Sequence, residues 1–335
     1  MRFPVIQGPF GGGYSSTRLL AAVSNGGGLG SYGAHVLTPA EIREMGAEAH
    51  QLAPGKPFGI NLWVDLSDGP VSREEFEARL PRFAPIYEEL GIPLPEYPGP
   101  AGYTFEEQVE AVLEARPAVF SFVFGISSAE ILAECGRRGI LTVGAATTLD
   151  EALALEEAGV DALVATGFEA GGHRPSFLRA AEDSLHGTLA LTRQVVEAVR
   201  VPVIAAGGIA DGAGVAAVLR LGAAAAQVGT AFLACEESGA SQLQREVLFS
   251  KDARYTRLTR QVSGRLARFL DTRLLQRLEG MGLPPLRYPV QGNLTAPIKR
   301  AAARVEDGVL YAGQGAPLIR HRRAGELLEA LAREL

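Results

Sequence analysis

Eight short apolar runs, each followed by a crossover segment, constrain this 335-residue chain more than any other feature it has. Runs rich in Val, Ile and Ala at 4–7, 29–33, 58–63, 119–124, 141–145, 162–166, 202–206 and 225–229 have the length and β-branching of buried parallel strands. Between them, patterns of period 3.6 predict helices over 17–24, 39–52, 105–115, 128–138, 149–158, 186–199 and 212–221. The unit from Thr147 to Thr166 shows how one repeat is written. A Thr cap is followed by Asp150 and Glu151 in the first turn, apolar Ala152, Leu153, Leu155 and Ala158, a stop at Gly159, and then a strand through Val164. Eight such units predict a closed (β/α)8 barrel of the TIM type, with an open doubly wound sheet as the alternative.

Two segments leave this rhythm. The stretch from about 65 to 100 is rich in proline and carries a helix-like run of its own, so it reads as an insertion beyond the third strand, where it can cover a site. The tail over 251–335 is Arg-rich and mostly helical, and is expected to form a smaller region returning over the mouth of a barrel built by 1–250.

Composition narrows the function classes. A net charge of -6 opposes attraction to nucleic acid or anionic lipid, and the arginines between Arg254 and Arg277 are interspersed with Leu and Asp like the polar face of helices. Cys135 and Cys235 have no ligand spacing and read as two buried, reduced thiols, and no metal-ligating cluster is evident. The chain passes at once into the strand-like Phe3-Pro4-Val5-Ile6, and no window approaches a span of about 20 apolar residues, which predicts a soluble cytoplasmic protein.

Barrel enzymes work at the C-terminal ends of their strands, and the unusual residues fall there. Ala206-Gly207-Gly208-Ile209 follows the seventh run and Gln227-Val228-Gly229-Thr230 the eighth. Glycine turns on adjacent late strands let backbone N–H groups approach a phosphate, and a helix starting at Thr230 would add its positive end. Gly171-Gly172-His173-Arg174 follows the sixth run and places His173 where a flat cofactor can lie against exposed backbone. Gln7-Gly8-Pro9 ends the first run, and Asn61 interrupts an apolar strand, so its amide must find a buried partner. These residues point to a phosphate-bearing cofactor and one candidate acid/base. They do not name the cofactor.

At the same positions the chain resembles the nitronate monooxygenase family, formerly the 2-nitropropane dioxygenases. The matching stretches are Gln7-Gly8-Pro9, Ala21 to Gly30, the strand containing Asn61, Glu169 to Arg174, Ala205 to Gly212, Gln227 to Phe232, Leu258-Thr259-Arg260, Ser263-Gly264-Arg265 and Ala312-Gly313-Gln314-Gly315. The resemblance implies FMN in a barrel, with family contacts at Asn61, Gly171, Gly208, Gln227, Gly229 and Thr230 and His173 as the active-site histidine; Gln7, Gly8, Pro9, Thr166 and Gly207 are expected to border the same flavin. It implies oxidation of small alkyl nitronates, or of nitroalkanes, by O₂ to carbonyl compounds and nitrite or nitrate. His173 would remove an α-proton or, as imidazolium, steady the anion. Thr166 stands where many members have Gln, and Pro175 where Gly is usual. An FMN- and NAD(P)H-dependent enoyl-thioester reductase shares the Gly-Gly-His feature and is the alternative function, and a flavin carrier without turnover is a third.

Overall fold

A computed structural model describes residues 1–99 and 102–333. Eight parallel strands form the frame: β1 (Val5–Gln7), β2 (Gly30–Gly33), β3 (Phe58–Trp63), β4 (Val119–Val123), β5 (Leu141–Ala146), β6 (Ala162–Thr166) and, after a two-residue strand β7 (Gly172–His173) outside the barrel, β8 (Val203–Ala206) and β9 (Ala225–Val228). Their order is β1-β9-β8-β6-β5-β4-β3-β2, and a parallel bridge from Ile6 to Leu29 joins the two ends. The sheet is therefore a closed barrel rather than an open doubly wound sheet. Each strand lies within two residues of the run that predicted it.

The outer layer begins with α1 (Thr17–Gly26) and α2 (Pro39–Leu52). An insertion then carries α3 (Arg73–Glu77) and α4 (Leu80–Leu90). Five further barrel helices follow: α5 (Phe105–Ala115), α6 (Ala129–Arg137), α7 (Leu149–Ala158), α8 (Thr188–Ala198) and α9 (Gly212–Arg220). Side-chain caps set most of these starts. Ser16, Thr38, Thr104, Ser128, Thr148 and Asp211 each accept a hydrogen bond from the backbone N–H three residues on. Glu151, in the first turn of α7, is fully buried because its carboxylate accepts from Thr147 N and Oγ1 and from Phe177 N and Leu178 N. It thereby ties α7 to the loop that follows His173.

The helix after the last barrel strand, α10 (Thr230–Leu233), is a single turn. The chain continues through α11 (Gln242–Val247), a hairpin of β10 (Thr256–Thr259) and β11 (Ala267–Leu270), α12 (Arg273–Gly280), α13 (Val290–Ala301) and α14 (Ala324–Ala332). The last of these leaves the mouth and packs against α1 and α9, with Leu327, Leu328 and Leu331 joining Val5, Leu19 and Val215 in one core. It fills the outer-layer position that α10 is too short to fill.

The insertion and the tail build the cap together. Phe76, Phe83, Ile86 and Tyr87 pack with Phe269, Leu275, Leu278, Leu294 and Ile298 in a core separate from that of the barrel. One expectation needs correction. The arginines from 254 to 277 are not all on helices: Arg257 and Arg268 lie on the hairpin, where Thr256-Arg257-Leu258-Thr259 faces Ala267-Arg268-Phe269-Leu270 antiparallel. Arg257 pairs with Asp271 at 2.8 Å and Glu279 at 2.6 Å, while buried Arg268 donates to Phe168 O and Thr256 Oγ1. Local charge partners let arginine sit on strands that the interspersed pattern reads as helix.

Candidate active site

A cavity of about 490 Å³ opens at the C-terminal ends of the barrel strands, under the tail. Gly8, Pro9, Asn61, Thr166, Gly171, His173, Gly207, Gly208, Gln227, Gly229 and Thr230 all line it. Gln7 does not. Its buried side chain accepts from Ser31 N at 2.9 Å, bridging the seam where β1 meets β2. Asn61 finds the partner its burial requires in Ser121 Oγ at 3.0 Å, one strand away. Pro175 also lines the cavity, next to Arg174, whose buried guanidinium donates to Thr166 O, Gly167 O and Ser184 O and so fixes the loop carrying His173.

One end of the cavity is bare backbone. Gly207 and Gly208 have φ of 116° and 70°, a region that disfavours any side chain, and a Cβ on Gly208 would come within 3.1 Å of Glu169 Cβ. The N–H groups of Gly208 and Thr230 make no hydrogen bond among the described residues, so two donors are left unpaired at residues that line the cavity. Gly229 differs: its φ is -101°, and a Cβ would meet only Phe10 Cε1 at 3.9 Å, so it is the open space that matters. The expected helix dipole at Thr230 is corrected too. A helix of four residues adds little, and the anion-binding capacity lies in the individual N–H groups. The tail completes this end: Gly313 N donates to Thr230 Oγ1 at 2.9 Å, and a Cβ on Gly315 would lie 2.1 Å from Gly208 O. These donors and the close backbone approach suit a phosphate.

The other end is built around His173. Its strand β7 pairs with β11, Ala267 opposite His173, so the tail hairpin sets the height of the imidazole. His173 Nε2 lies 2.8 Å from Ser263 Oγ, and that hydroxyl donates to Arg265 O at 3.2 Å. We assign the Ser263 proton to Arg265 O, which can only accept, and His173 then carries its proton on Nε2 with Nδ1 left as a lone pair. Trp63 meets the His173 ring edge-on at 5.0 Å, and Phe124, Tyr288 and Tyr311 stand within 6.5 Å. The exposed part of His173 faces this walled cavity rather than bulk water. Desolvation, with Arg265 and Lys299 nearby, pushes its pKa down to about 3. His173 is therefore neutral near pH 7. That argues against the expected imidazolium, while a pKa this low also makes the ring a weak base.

Positive charge comes from elsewhere. Arg265 is buried, pairs with Asp68 at 2.7 Å, and lies 4.2 Å over Phe124 and 4.4 Å over Tyr288. Lys299 stands 4.2 Å over Tyr14 and 5.6 Å over Tyr311, both of which line the cavity, and burial lowers its pKa to about 8. Sequence reasoning missed Tyr14, Trp63, Tyr288 and Tyr311 as lining residues, and Lys299 packed against two of them. Only Tyr288 carried a local signal, as an aromatic side chain in the proline-rich run from Pro284 to Pro289.

The sequence matches the family model described as "Nitronate monooxygenase" over residues 1–334. The chain belongs to the nitronate monooxygenase family. It is 40% identical to a nitronate monooxygenase of Paraburkholderia phytofirmans, covering 99% of this chain and 92% of the relative, and 34% identical to a probable nitronate monooxygenase of Staphylococcus aureus over 100% and 95%. Among solved structures it superposes on nitroalkane oxidase from Streptomyces ansochromogenes with a TM-score of 0.91 at 39% identity, covering 99% and 95% of the two chains. FabK from Thermotoga maritima is more distant, with a TM-score of 0.75 at 27% identity over 100% and 93%. Nitronate monooxygenase family membership makes this chain a flavin-dependent oxidoreductase.

Proposed function

We propose that this member of the nitronate monooxygenase family oxidises small alkyl nitronates, and nitroalkanes after removal of their α-proton, with FMN as its flavin and O₂ as the final oxidant. The observation that carries this reading is one cavity joining an anion-binding backbone cradle to a neutral histidine with a free ring nitrogen. Gly207, Gly208, Gly229 and Thr230 would hold the FMN phosphate, with Gly171, Asn61, Thr166 and Gln227 bordering the ring system. A second phosphate site for an adenosine half is not needed by this arrangement. FMN is expected as the only flavin released on denaturation.

Each residue at the substrate end has a definable task. His173 Nδ1 accepts the α-proton of a neutral nitroalkane, while Ser263 holds the ring by Nε2. Arg265 and Lys299 make the protonated ring costly on its own, but they favour an anion in the cavity, so the nitronate formed beside His173 offsets that cost. Trp63, Phe124 and Tyr288 wall the site and weaken the competition from water. Bound FMN supplies the redox group through which electrons pass from nitronate to O₂.

The enoyl-thioester reductase alternative draws support from the similarity to FabK. Anaerobic mixing of the yellow protein with a nitronate or with NADH separates the two. Rapid bleaching by propyl-1-nitronate and none by NADH supports the proposal, and the opposite pattern overturns it.

A further inference from the structure

A second imidazole borders the cavity, on His35, which is 6% exposed. Its Nδ1 is buried with no hydrogen-bond partner among the described residues. The ring is stacked on Trp63, centroids 3.8 Å apart and planes 7° from parallel. On the side toward Gly11 there is no slack: a Cβ there would fall 2.1 Å from His35 Cε1. The backbone is fixed as well, since His35 O accepts from Gln108 Nε2 at 3.1 Å and from Tyr103 Oη at 3.4 Å. A polar ring held this firmly by packing, with a nitrogen left unpaired, is unusual in a protein interior, where buried polar groups are almost always satisfied.

The charges around it say what kind of partner suits it. Burial, His173 and Arg265 all disfavour the imidazolium, so His35 is a neutral ring with one N–H to donate. The cations near this wall are Arg265, 5.6 Å over the Trp63 ring, and Lys299 over Tyr14. A donor beside fixed positive charge calls for an oxygen acceptor bearing negative charge. A planar group also suits a wall made of the Trp63, Phe124 and Tyr288 rings.

We propose that His35 is a substrate-orienting residue: stacked on Trp63, it donates its Nε2–H, the ring nitrogen that is neither buried nor hydrogen-bonded, to one oxygen of the planar nitro or nitronate group and turns the α-carbon toward His173. This rests on the reaction proposed above. His35 and His173 then divide the work, one holding the oxygen and one taking the proton. The same N–H chemistry would also fit a carbonyl oxygen of the flavin, and the experiment distinguishes the two.

Trp63 is the only tryptophan in the chain and lies against His35, so its fluorescence reports ligand arrival in the flavin-loaded protein without turnover. Butanoate, an unreactive carboxylate with the shape of 1-nitropropane, serves as the probe beside propyl-1-nitronate. His35→Phe keeps the stack and removes the donor. It is expected to weaken butanoate binding about tenfold or more, the range for losing a hydrogen bond to a charged group, with flavin content unchanged. KM for the nitronate should rise with it, more than kcat falls, and His35→Gln should recover part of the affinity. The proposal is overturned if His35→Phe binds both probes like the wild type, if the variant loses flavin instead of probe affinity, or if the wild type binds neither probe. Because butanoate titration needs no turnover, it decides the role of His35 even if no nitronate proves to be a substrate.

Discussion

Ser263 and His173, ninety residues apart in sequence, meet at 2.8 Å between Oγ and Nε2. The contact exists because the hairpin that carries Ser263 pairs through Ala267 with the two-residue strand carrying His173. A residue on the segment after the sixth barrel strand thus receives its tautomer and height from the tail. The loop at Gly313 does the same for Thr230 at the phosphate end. The cavity is completed by the tail at both ends.

His173→Asn should keep its flavin and lose turnover of neutral nitroalkanes by about 10²–10⁴-fold, the usual effect of removing a general base. Preformed nitronates need no proton removed, so their oxidation should fall far less. Ser263→Ala leaves the base in place but loosens it, and a loss of about three- to tenfold on nitroalkanes alone is expected from one hydrogen bond. Steady-state rates on 1-nitropropane and propyl-1-nitronate measure both. Since the His173 pKa is held down near 3, kcat/KM for nitroalkanes should show no acid limb from this group between pH 8 and 5. Equal losses on both substrates would assign His173 to binding rather than proton transfer.

Two glycines of the cradle should fail in different ways. Gly229 has an ordinary φ and open space beyond it, so Gly229→Val should fold normally and lose FMN. Gly208 has a φ of 70° and a close neighbour in Glu169, so Gly208→Val should lose FMN and also about 1–3 kcal/mol of stability. Flavin content and denaturant unfolding of the flavin-free variants separate the two. If Gly229→Val retains full flavin, the phosphate does not sit there.

The barrel was legible because each βα unit writes its own caps, stops and apolar runs within about thirty residues. Thr148, Gly159 and the run at 162–166 are local signals with local causes. The glycine turns and His173 were legible for the same reason: their unusual composition sits directly after a recognisable strand. Gln7 shows the limit of that logic, for a polar residue at a strand end can serve the barrel seam as well as the cavity. Trp63, Ser263, Lys299 and Tyr311 were not legible as one site. Trp63 ends a barrel strand, but Ser263, Lys299 and Tyr311 come from a tail whose packing against the insertion decides their position, and no periodicity records which loop meets which. The hairpin was hidden for a related reason, since its arginines are made compatible with a strand by Asp271, Glu279 and Phe168 O.

Lys299 offers a test of charge in the site. With a pKa near 8, it is mostly cationic below pH 8 and loses its charge as the pH rises through that value. KM for a nitronate anion should therefore rise above pH 8, and Lys299→Met should remove that dependence while raising KM about three- to tenfold at pH 7, as expected for one partly screened charge contact. Neutral nitroalkanes should feel the change less. A Lys299→Met protein with the same rise in KM above pH 8 would show that another group is titrating.

The two cavity histidines should also leave a mark on stability. In an unfolded chain each imidazole binds a proton near pH 6.5, whereas burial holds both His35 and His173 neutral in the folded protein down to about 3. Between those values the unfolded state binds more protons, so stability is fully present above pH 6.5 and falls as the pH drops toward 3. At pH 5 each ring should add about one proton to the uptake on unfolding, read from the slope of unfolding free energy against pH at a fixed excess of FMN. His35→Phe removes one of these rings and should reduce the uptake by about one proton relative to the wild type. An unchanged slope would mean that His35 is already protonated in the folded protein, and its place as a neutral donor against Trp63 would be lost.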